Sequence, residues 1–114
     1  MRVIVAGSRG IKDYELICRV IADSGFDITT LVSGGADGVD RLGERWATER
    51  GIPVDRFNAQ WDLYGKKAGP YRNQKMAEDA DALVAVMVRR GSRGTQDMLT
   101  RARTIGLRIH LHLV

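Results

Sequence analysis

The chain has 114 residues, of which 44% are hydrophobic and 28% charged, a composition that excludes wholesale disorder and suits one domain with its own core. The net charge of +4 fits an anionic partner, although most lysines and arginines are spread along the chain as an ordinary solvated surface. One cysteine excludes an internal disulfide, and no spacing resembles a zinc site, so we expect no metal or other cofactor. Neither a bilayer-spanning run nor a signal peptide is found, so we expect a cytoplasmic protein.

The first half of the chain predicts two strand–loop–helix units and a third strand. Residues 2–6 and 28–33 are β-branched apolar runs, typical of strands buried on both faces. After the first run, Asp13 can cap a helix that carries its apolar residues on one face, Leu16, Ile17, Val20 and Ile21. After the second run, a glycine-rich segment (33–38) precedes a helix with the apolar face Val39, Leu42, Trp46 and Ala47. Residues 53–57 form the third strand.

The second half predicts two more strands with their helices. Residues 58–69 are too long and too aromatic for a simple connector and are predicted as a functional loop, in which Trp61 and Tyr64 either stack on a base or pack locally. Pro70 suits the first position of a helix with the core residues Met76, Ala77 and Ala80, and residues 82–88 form a central strand. The loop 89–94 leads into a helix with inward residues Met98, Leu99, Ala102 and Ile105. Residues 107–113 alternate as an edge strand, with Leu107, Ile109, Leu111 and Leu113 inward and Arg108, His110 and His112 at the surface.

Five strands alternating with helices predict a single Rossmann-like α/β domain over residues 1–114. Its sheet is expected to be doubly wound, mostly parallel and five-stranded, in the order 3-2-1-4-5, with helices on both faces. In such sheets ligands bind beyond the carboxyl ends of the strands where the winding reverses, here between the first and fourth strands. The loops gathered there are 7–10, 33–38 and 89–95, where Gly, Ser, Thr and Arg concentrate.

The glycine-rich segment offers unobstructed backbone N–H groups ahead of a helix N-terminus, which favours a phosphate or another oxyanion. It matches neither the dinucleotide fingerprint nor the P-loop, and the alternative is a tight turn with Asp37 as N-cap. Asp37 and Asp40 share a helix face and either hold a ribose hydroxyl, act as a base, or only balance the dipole. Ser8 and Arg9 either reach a ligand or form an exposed turn. Thr95 can cap a helix or hydrogen-bond a phosphate, and the last loop also holds a candidate phosphate-facing cluster, Arg89, Arg90 and Arg93.

Several of these motifs occur together in the order found in a known group. They are Gly7-Ser8-Arg9, Ser33 to Asp40 with Trp46-Ala47, Gly69 with Arg72-Asn73 and Met76, Ala80 to Ala85, and Gly94-Thr95. In these motifs the chain resembles the SLOG superfamily, in its small YspA-like branch, from residue 7 to about residue 95. The resemblance implies a Rossmann-like fold that binds nucleotides or nucleotide-derived ligands. The resulting ligand-binding candidates are Gly7, Ser8, Arg9, Ser33, Gly34, Gly35, Ala36, Asp37, Gly38, Asp40, Arg72, Asn73, Arg93, Gly94 and Thr95.

The superfamily includes cytokinin-activating phosphoribohydrolases, which cleave the N-glycosidic bond of nucleoside monophosphates. Their motif carries an arginine four positions before a methionine, as Arg72 stands before Met76. Their P-G-G-x-G-T-x-x-E loop aligns with Arg90 to Met98, where the final glutamate is replaced by Met98 and a carboxylate survives one position earlier, at Asp97. Because a helix turns about 100° per residue, Asp97 points elsewhere, which puts hydrolysis by the family mechanism in doubt.

Three functions follow as hypotheses. The first is a sensor or sequestering module for a nucleoside phosphate or an ADP-ribose-like molecule. The second is an N-glycosidic hydrolase with Asp97, Asp37 or Asp40 as acid or base. The third, ranked last, is binding of single-stranded DNA, which the DprA members of the superfamily perform and the basic composition suits. The predicted edge strand also favours a homo-oligomer, because a second copy could cover it.

Overall fold

The structure is a computed structural model that describes residues 1–114, in which strands and helices alternate along the chain. The strands are β1 (Arg2–Gly7), β2 (Thr30–Ser33), β3 (Val54–Arg56), β4 (Ala82–Met87) and β5 (Arg108–Leu113). The helices are α1 (Tyr14–Ser24), α2 (Val39–Glu49), α3 (Trp61–Tyr64), α4 (Ala68–Asp79) and α5 (Arg93–Ile105). A 3₁₀ turn over Gly65–Lys67 joins α3 to α4.

All five strands lie in one sheet of order β3-β2-β1-β4-β5, and every pair of neighbours is parallel. The predicted Rossmann-like architecture and strand order are therefore confirmed, with a sheet that is entirely rather than mostly parallel. In the centre of the sheet Ile4 of β1 lies opposite Val32 of β2 and Leu83 of β4. The winding reverses between β1 and β4, so a crevice is expected at the carboxyl ends of these two strands.

Alternate residues of the central strands point to opposite faces of the sheet, and each face has its own hydrophobic core. Val3 and Val5 belong to the core covered by α1 and α2, whereas Ile4 belongs to the core covered by α4 and α5. The predicted inward residues of these helices that are buried are Leu16, Ile17, Val20, Ile21, Val39, Ala47, Met76, Ala77, Met98, Leu99 and Ala102. No helix combines the length and apolar character that a membrane crossing requires.

Several local predictions are wrong. The segment 58–69, predicted as a loop, contains α3 and the 3₁₀ turn, and α4 begins at Ala68, so Pro70 is its third residue rather than its first. β2 and β3 are shorter than the predicted runs. Ile105, predicted to face inward, is the last residue of α5 and is 42% exposed.

β5 is an edge strand as predicted, since it pairs with β4 alone, but the burial of its residues does not follow their alternation between apolar and polar. Ile109 packs against the core below α5. Leu111 and Leu113, predicted inward, are exposed, whereas His110 and His112, predicted at the surface, are half-buried. The cover given by α5 therefore stops short of the carboxyl half of β5, which leaves an apolar edge open.

Candidate ligand-binding site

A cavity of about 390 Å³, here called the switch-point cavity, opens at the carboxyl edge of the sheet where the winding reverses. Its size falls in the range of about 300–1,000 Å³ that is typical of small-molecule sites. Nine of the predicted ligand-binding residues line it: Gly7, Arg9, Ala36, Asp40, Arg72, Asn73, Arg93, Gly94 and Thr95. The loops after β1 and β2, the helix α4 and the start of α5 thus meet at one place, as the sequence predicted.

Gly7 ends β1 and allows three elements to approach each other at the floor of this cavity. A Cβ at this position would overlap the Val86 carbonyl oxygen of β4 and lie 2.7 Å from the Val39 Cγ2 at the start of α2. A larger residue would force β1 and β4 apart, because the obstacle is backbone rather than a mobile side chain. The absence of a Cβ at Gly7 therefore brings the first turn of α2 to the cavity.

Asp40 is the one carboxylate that lines the switch-point cavity, and it lies in the first turn of α2. Its Oδ2 accepts the Ala36 N–H at 3.3 Å. Burial raises the pKa of Asp40 to about 6, although the backbone N–H groups of Ala36 and Gly7 and the charge of Arg72 act in the opposite direction. The charge of this carboxylate consequently changes close to neutral pH.

Arg72 extends from α4 to the glycine-rich segment. Its Nη1 donates to the Gly34 carbonyl oxygen at 2.8 Å and its Nε donates to Asn73 Oδ1 at 3.0 Å. A Cβ on Gly34 would lie 2.7 Å from this Nη1 and 2.9 Å from the Asp40 Oδ2, so glycine gives both charged groups their space. Asn73 in turn donates to Asp97, which links the arginine to α5.

Arg72 is half-buried yet belongs to none of the five salt bridges of the chain. Burial lowers its pKa, and the nearby Arg9 adds to this effect while Asp40 opposes it. A partly desolvated guanidinium that is bound only to neutral acceptors gains free energy from an anion placed beside it. The Arg72 guanidinium is therefore suited to pair with an anion in the cavity.

The N-terminus of α5 forms one wall of the cavity. Ser92 occupies the N-cap position but its side chain does not cap the helix, and the first turn of α5 contains no acidic residue. The Ser92 Oγ is instead 2.7 Å from the Ser8 Oγ. Thr95 is 5% exposed and lines the cavity together with Gly94. The positive end of the α5 dipole and its first backbone N–H groups therefore remain available to an anion.

Two predicted ligand contacts, Ser8 and Ser33, have their hydroxyls engaged within the protein. The Ser8 Oγ accepts the Val88 N–H at 3.0 Å besides its contact with Ser92. The Ser33 Oγ donates to Glu44 Oε2 at 2.6 Å and accepts the Gly35 N–H at 3.0 Å. Neither residue lines the cavity, so both shape the loops around it, and a direct role in ligand binding stays a prediction.

The glycine-rich segment contributes only Ala36 to the cavity lining. Gly38 has φ 79° and ψ −127°, and a Cβ there would overlap the carbonyl oxygens of Ser8 and Arg9. Gly35 has φ 72° and packs against the Arg56 side chain. These two glycines allow the loop after β2 to close onto its neighbours, because L side chains rarely adopt such backbone conformations.

The three candidate catalytic carboxylates lie in different surroundings. Asp37 is exposed and lies outside the cavity lining, and Gly38 rather than Asp37 holds the N-cap position of α2, so the capping alternative is wrong. Asp97 forms an ion pair with Arg101 at 2.9 Å and accepts the Asn73 amide at the same distance, also outside the lining. Only Asp40 faces the space where a ligand would lie.

Some of the cavity lining was missed by sequence reasoning. Ser92 was not singled out, although its place just before α5 marks the N-cap of that helix. Met76 and Met98 were predicted as core residues and line the cavity as well. Of the predicted arginine cluster in the loop after β4, only Arg93 reaches the cavity, while the rest of the cluster is exposed elsewhere.

The fold and the cavity define a Rossmann-like α/β protein with a cationic cleft at the reversal of its winding. The chain belongs to the YspA, cpYpsA-related SLOG family, whose model matches residues 1–64, and this confirms the resemblance found in its motifs. It is 35% identical over 118 aligned residues to the "Gene 61 protein" of Mycobacterium phage D29, and the alignment covers 93% of this chain and 91% of that protein. No solved structure matches the chain.

Proposed function

We propose that this chain binds a nucleotide or a nucleotide-derived ligand, a nucleoside phosphate or an ADP-ribose-like molecule, with a phosphate in the switch-point cavity. The observation that carries the proposal is the lining of that cavity by Arg9, Arg72 and Arg93 against a single carboxylate, beside the uncapped N-terminus of α5. Guanidinium groups and helix N-termini are the two donor types that proteins use most for phosphate. Membership of a SLOG family supports a nucleotide-related ligand.

The distribution of donors and acceptors favours binding without bond cleavage, as in a sensor or a sequestering module. Arg72 uses two of the five N–H donors of a guanidinium within the protein, which leaves others for a phosphate. Ionised Asp40 can accept a hydrogen bond from a ribose hydroxyl. Met98 lines the cavity at the position of the phosphoribohydrolase glutamate and cannot transfer a proton.

Isothermal titration of nucleoside monophosphates and ADP-ribose into the protein tests this proposal. We expect Arg72→Ala to weaken binding by about tenfold or more, because a hydrogen bond to a charged group contributes about 1.5–3 kcal/mol. Arg103→Ala, which removes an exposed arginine from the far end of α5, is the matched control and should bind like the wild type. No binding at millimolar ligand, or equal affinities for Arg72→Ala and wild type, would contradict the proposal.

A second candidate function, hydrolysis of the N-glycosidic bond of a nucleoside monophosphate, is favoured by one observation. The buried Asp40 carboxyl has a pKa of about 6 and faces the cavity near Arg72, and a group that titrates near the working pH is suited to proton transfer. Release of free base would then fall by about 10²-fold or more in Asp40→Asn. Asp37→Asn should keep the wild-type rate. Full activity of Asp40→Asn would exclude this role.

A further inference from the structure

A second and larger cavity, of about 620 Å³, opens at the same carboxyl edge of the sheet and is here called the aromatic cavity. Phe57, which follows β3, forms one wall, and Tyr64 at the end of α3 and Tyr71 on α4 form another. Arg72 lines this cavity as well as the switch-point cavity. The two cavities therefore meet at one guanidinium group, and a ligand with two chemically different ends could occupy both.

The aromatic side chains around this second cavity are unusually accessible. Tyr64 and Tyr71 are 42% and 48% exposed, and their ring centroids are 4.9 Å apart with an interplanar angle of 83°. Trp61, 53% exposed, does not line the cavity but lies nearby against Gly69, where a Cβ would lie 3.3 Å from the indole ring. Scattered exposed apolar residues are ordinary, but a contiguous group at a cavity marks a binding surface. An edge-to-face ring pair also leaves ring faces open for a further planar ring.

The polar lining of the aromatic cavity differs from that of the switch-point cavity. Three amide side chains, Asn58, Gln60 and Gln74, line it, and each amide offers an acceptor and two donors, as the edges of nucleobases do. The Gln74 Oε1 accepts from Arg101 Nη1 at 2.9 Å, which leaves the Gln74 N–H groups to act as donors. The remaining charged residues, Lys75 and Glu78, have opposite charges. The lining thus suits an uncharged, planar group with hydrogen-bonding edges.

We propose that the aromatic cavity holds the purine or pyrimidine base of the ligand while its phosphate lies in the switch-point cavity. This inference depends on the proposed function and extends it, because it assigns the base of the ligand to a cavity separate from that of the phosphate. The base stacks on Tyr71, against which Tyr64 packs edge to face, and meets the amide side chains at its edge. Arg72 lies between the base and the phosphate.

Titration calorimetry with adenosine 5′-monophosphate and with ribose 5-phosphate, which lacks the base, tests the inference. We expect the wild type to bind the nucleotide about fivefold or more tightly than the sugar phosphate, because stacking of one base on an aromatic side chain contributes about 1–3 kcal/mol. Tyr71→Ala should lose this preference and keep its affinity for ribose 5-phosphate, and Tyr71→Phe should retain it. Leu63→Ala, an exposed apolar change in α3 outside the cavity lining, is the matched control and should bind like the wild type.

Each outcome identifies which of the two proposals fails. The base site is overturned if the wild type binds the two ligands with equal affinity, or if Tyr71→Ala still prefers the nucleotide. The phosphate site is upheld in either case if ribose 5-phosphate binds and its binding depends on Arg72. Binding of neither ligand overturns both. A thermal melt of Tyr71→Ala that matches the wild type shows that the fold is intact, as expected for a half-exposed side chain.

Discussion

Replacing Asp40 by asparagine is expected to stabilise the protein at neutral pH. The side chain is 5% exposed, and burial raises its pKa from an ordinary 3.8 to about 6. Because one pKa unit corresponds to about 1.36 kcal/mol, keeping this carboxylate ionised in the folded state costs on the order of 3 kcal/mol. An asparagine of the same shape removes that cost. Such a gain would indicate that the carboxylate is kept for binding or catalysis at the expense of stability.

The predicted effect depends on pH in a defined direction. Between about pH 4 and pH 6 the folded protein holds a proton on Asp40 that the unfolded chain has released, so the free energy of unfolding falls as the pH rises through this window. Asp40→Asn has no such proton and loses this dependence. The variant and the wild type should therefore be similarly stable near pH 4 and should differ most above pH 6.

Urea denaturation at pH 4.5 and pH 7.5 measures the stability gained by Asp40→Asn and how that gain depends on pH. We expect Asp40→Asn to gain about 1–3 kcal/mol at pH 7.5, the lower value applying if the amide accepts the Ala36 N–H less well than a carboxylate does. Each kcal/mol gained corresponds to a rise of about 4 °C in Tm for a domain of roughly this length. Asp37→Asn, which changes an exposed carboxylate, should leave the free energy of unfolding unchanged at both pH values. A loss of about 1 kcal/mol or more at pH 7.5 would refute the reasoning. It would show instead that Asp40 stabilises the fold by holding together the loops after β1 and β2.

Three further changes test the fold and the site. Gly38→Ala should lower the free energy of unfolding by about 3–5 kcal/mol in a thermal or urea melt, and Gly25→Ala by only about 1–2 kcal/mol. Both glycines have positive φ, but only a Cβ at Gly38 would overlap backbone atoms. Equal losses in the two variants would contradict this reasoning. Ser33→Ala should cost about 1–3 kcal/mol through its lost hydrogen bonds. Its nucleotide affinity tests the predicted ligand contact, which a tenfold loss would support and an unchanged affinity would contradict. We expect self-association through the open apolar edge of β5, so Leu111→Lys should have a lower mass in analytical sedimentation than the wild type. Identical masses for the two proteins would exclude that edge as the self-association interface.

The fold could be predicted largely from local patterns. Buried parallel strands appear as short β-branched runs, and the helices between them carry apolar residues at helical spacing. The rule of right-handed crossovers then leaves few strand orders, and the predicted one is the order found. The prediction failed where burial depends on a distant element. The carboxyl half of β5 alternates in sequence, but α5 does not extend over it, which leaves Leu111 and Leu113 exposed.

The position of the site could be predicted as well, but the direction of its side chains could not. Ser8 pairs with Ser92, 84 residues away, and Arg72 bonds to Gly34, 38 residues away. Such partners depend on how loops from separate elements meet, and no local periodicity encodes that. The burial of Asp40, which distinguishes it from Asp37, likewise follows from the close approach of β1, β4 and α2 rather than from its neighbours in sequence.

Amide chemical shifts followed by NMR during a titration with a nucleoside monophosphate test the central claim most directly in a chain of 12.6 kDa. If a phosphate binds at the start of α5, the largest shifts will occur at the amides of Gly94 and Thr95 and at Gly7, and Arg72→Ala will reduce them at every ligand concentration. Shifts confined to the far side of the sheet around α1, or no shifts at millimolar ligand, would contradict the claim that the switch-point cavity is a nucleotide phosphate site.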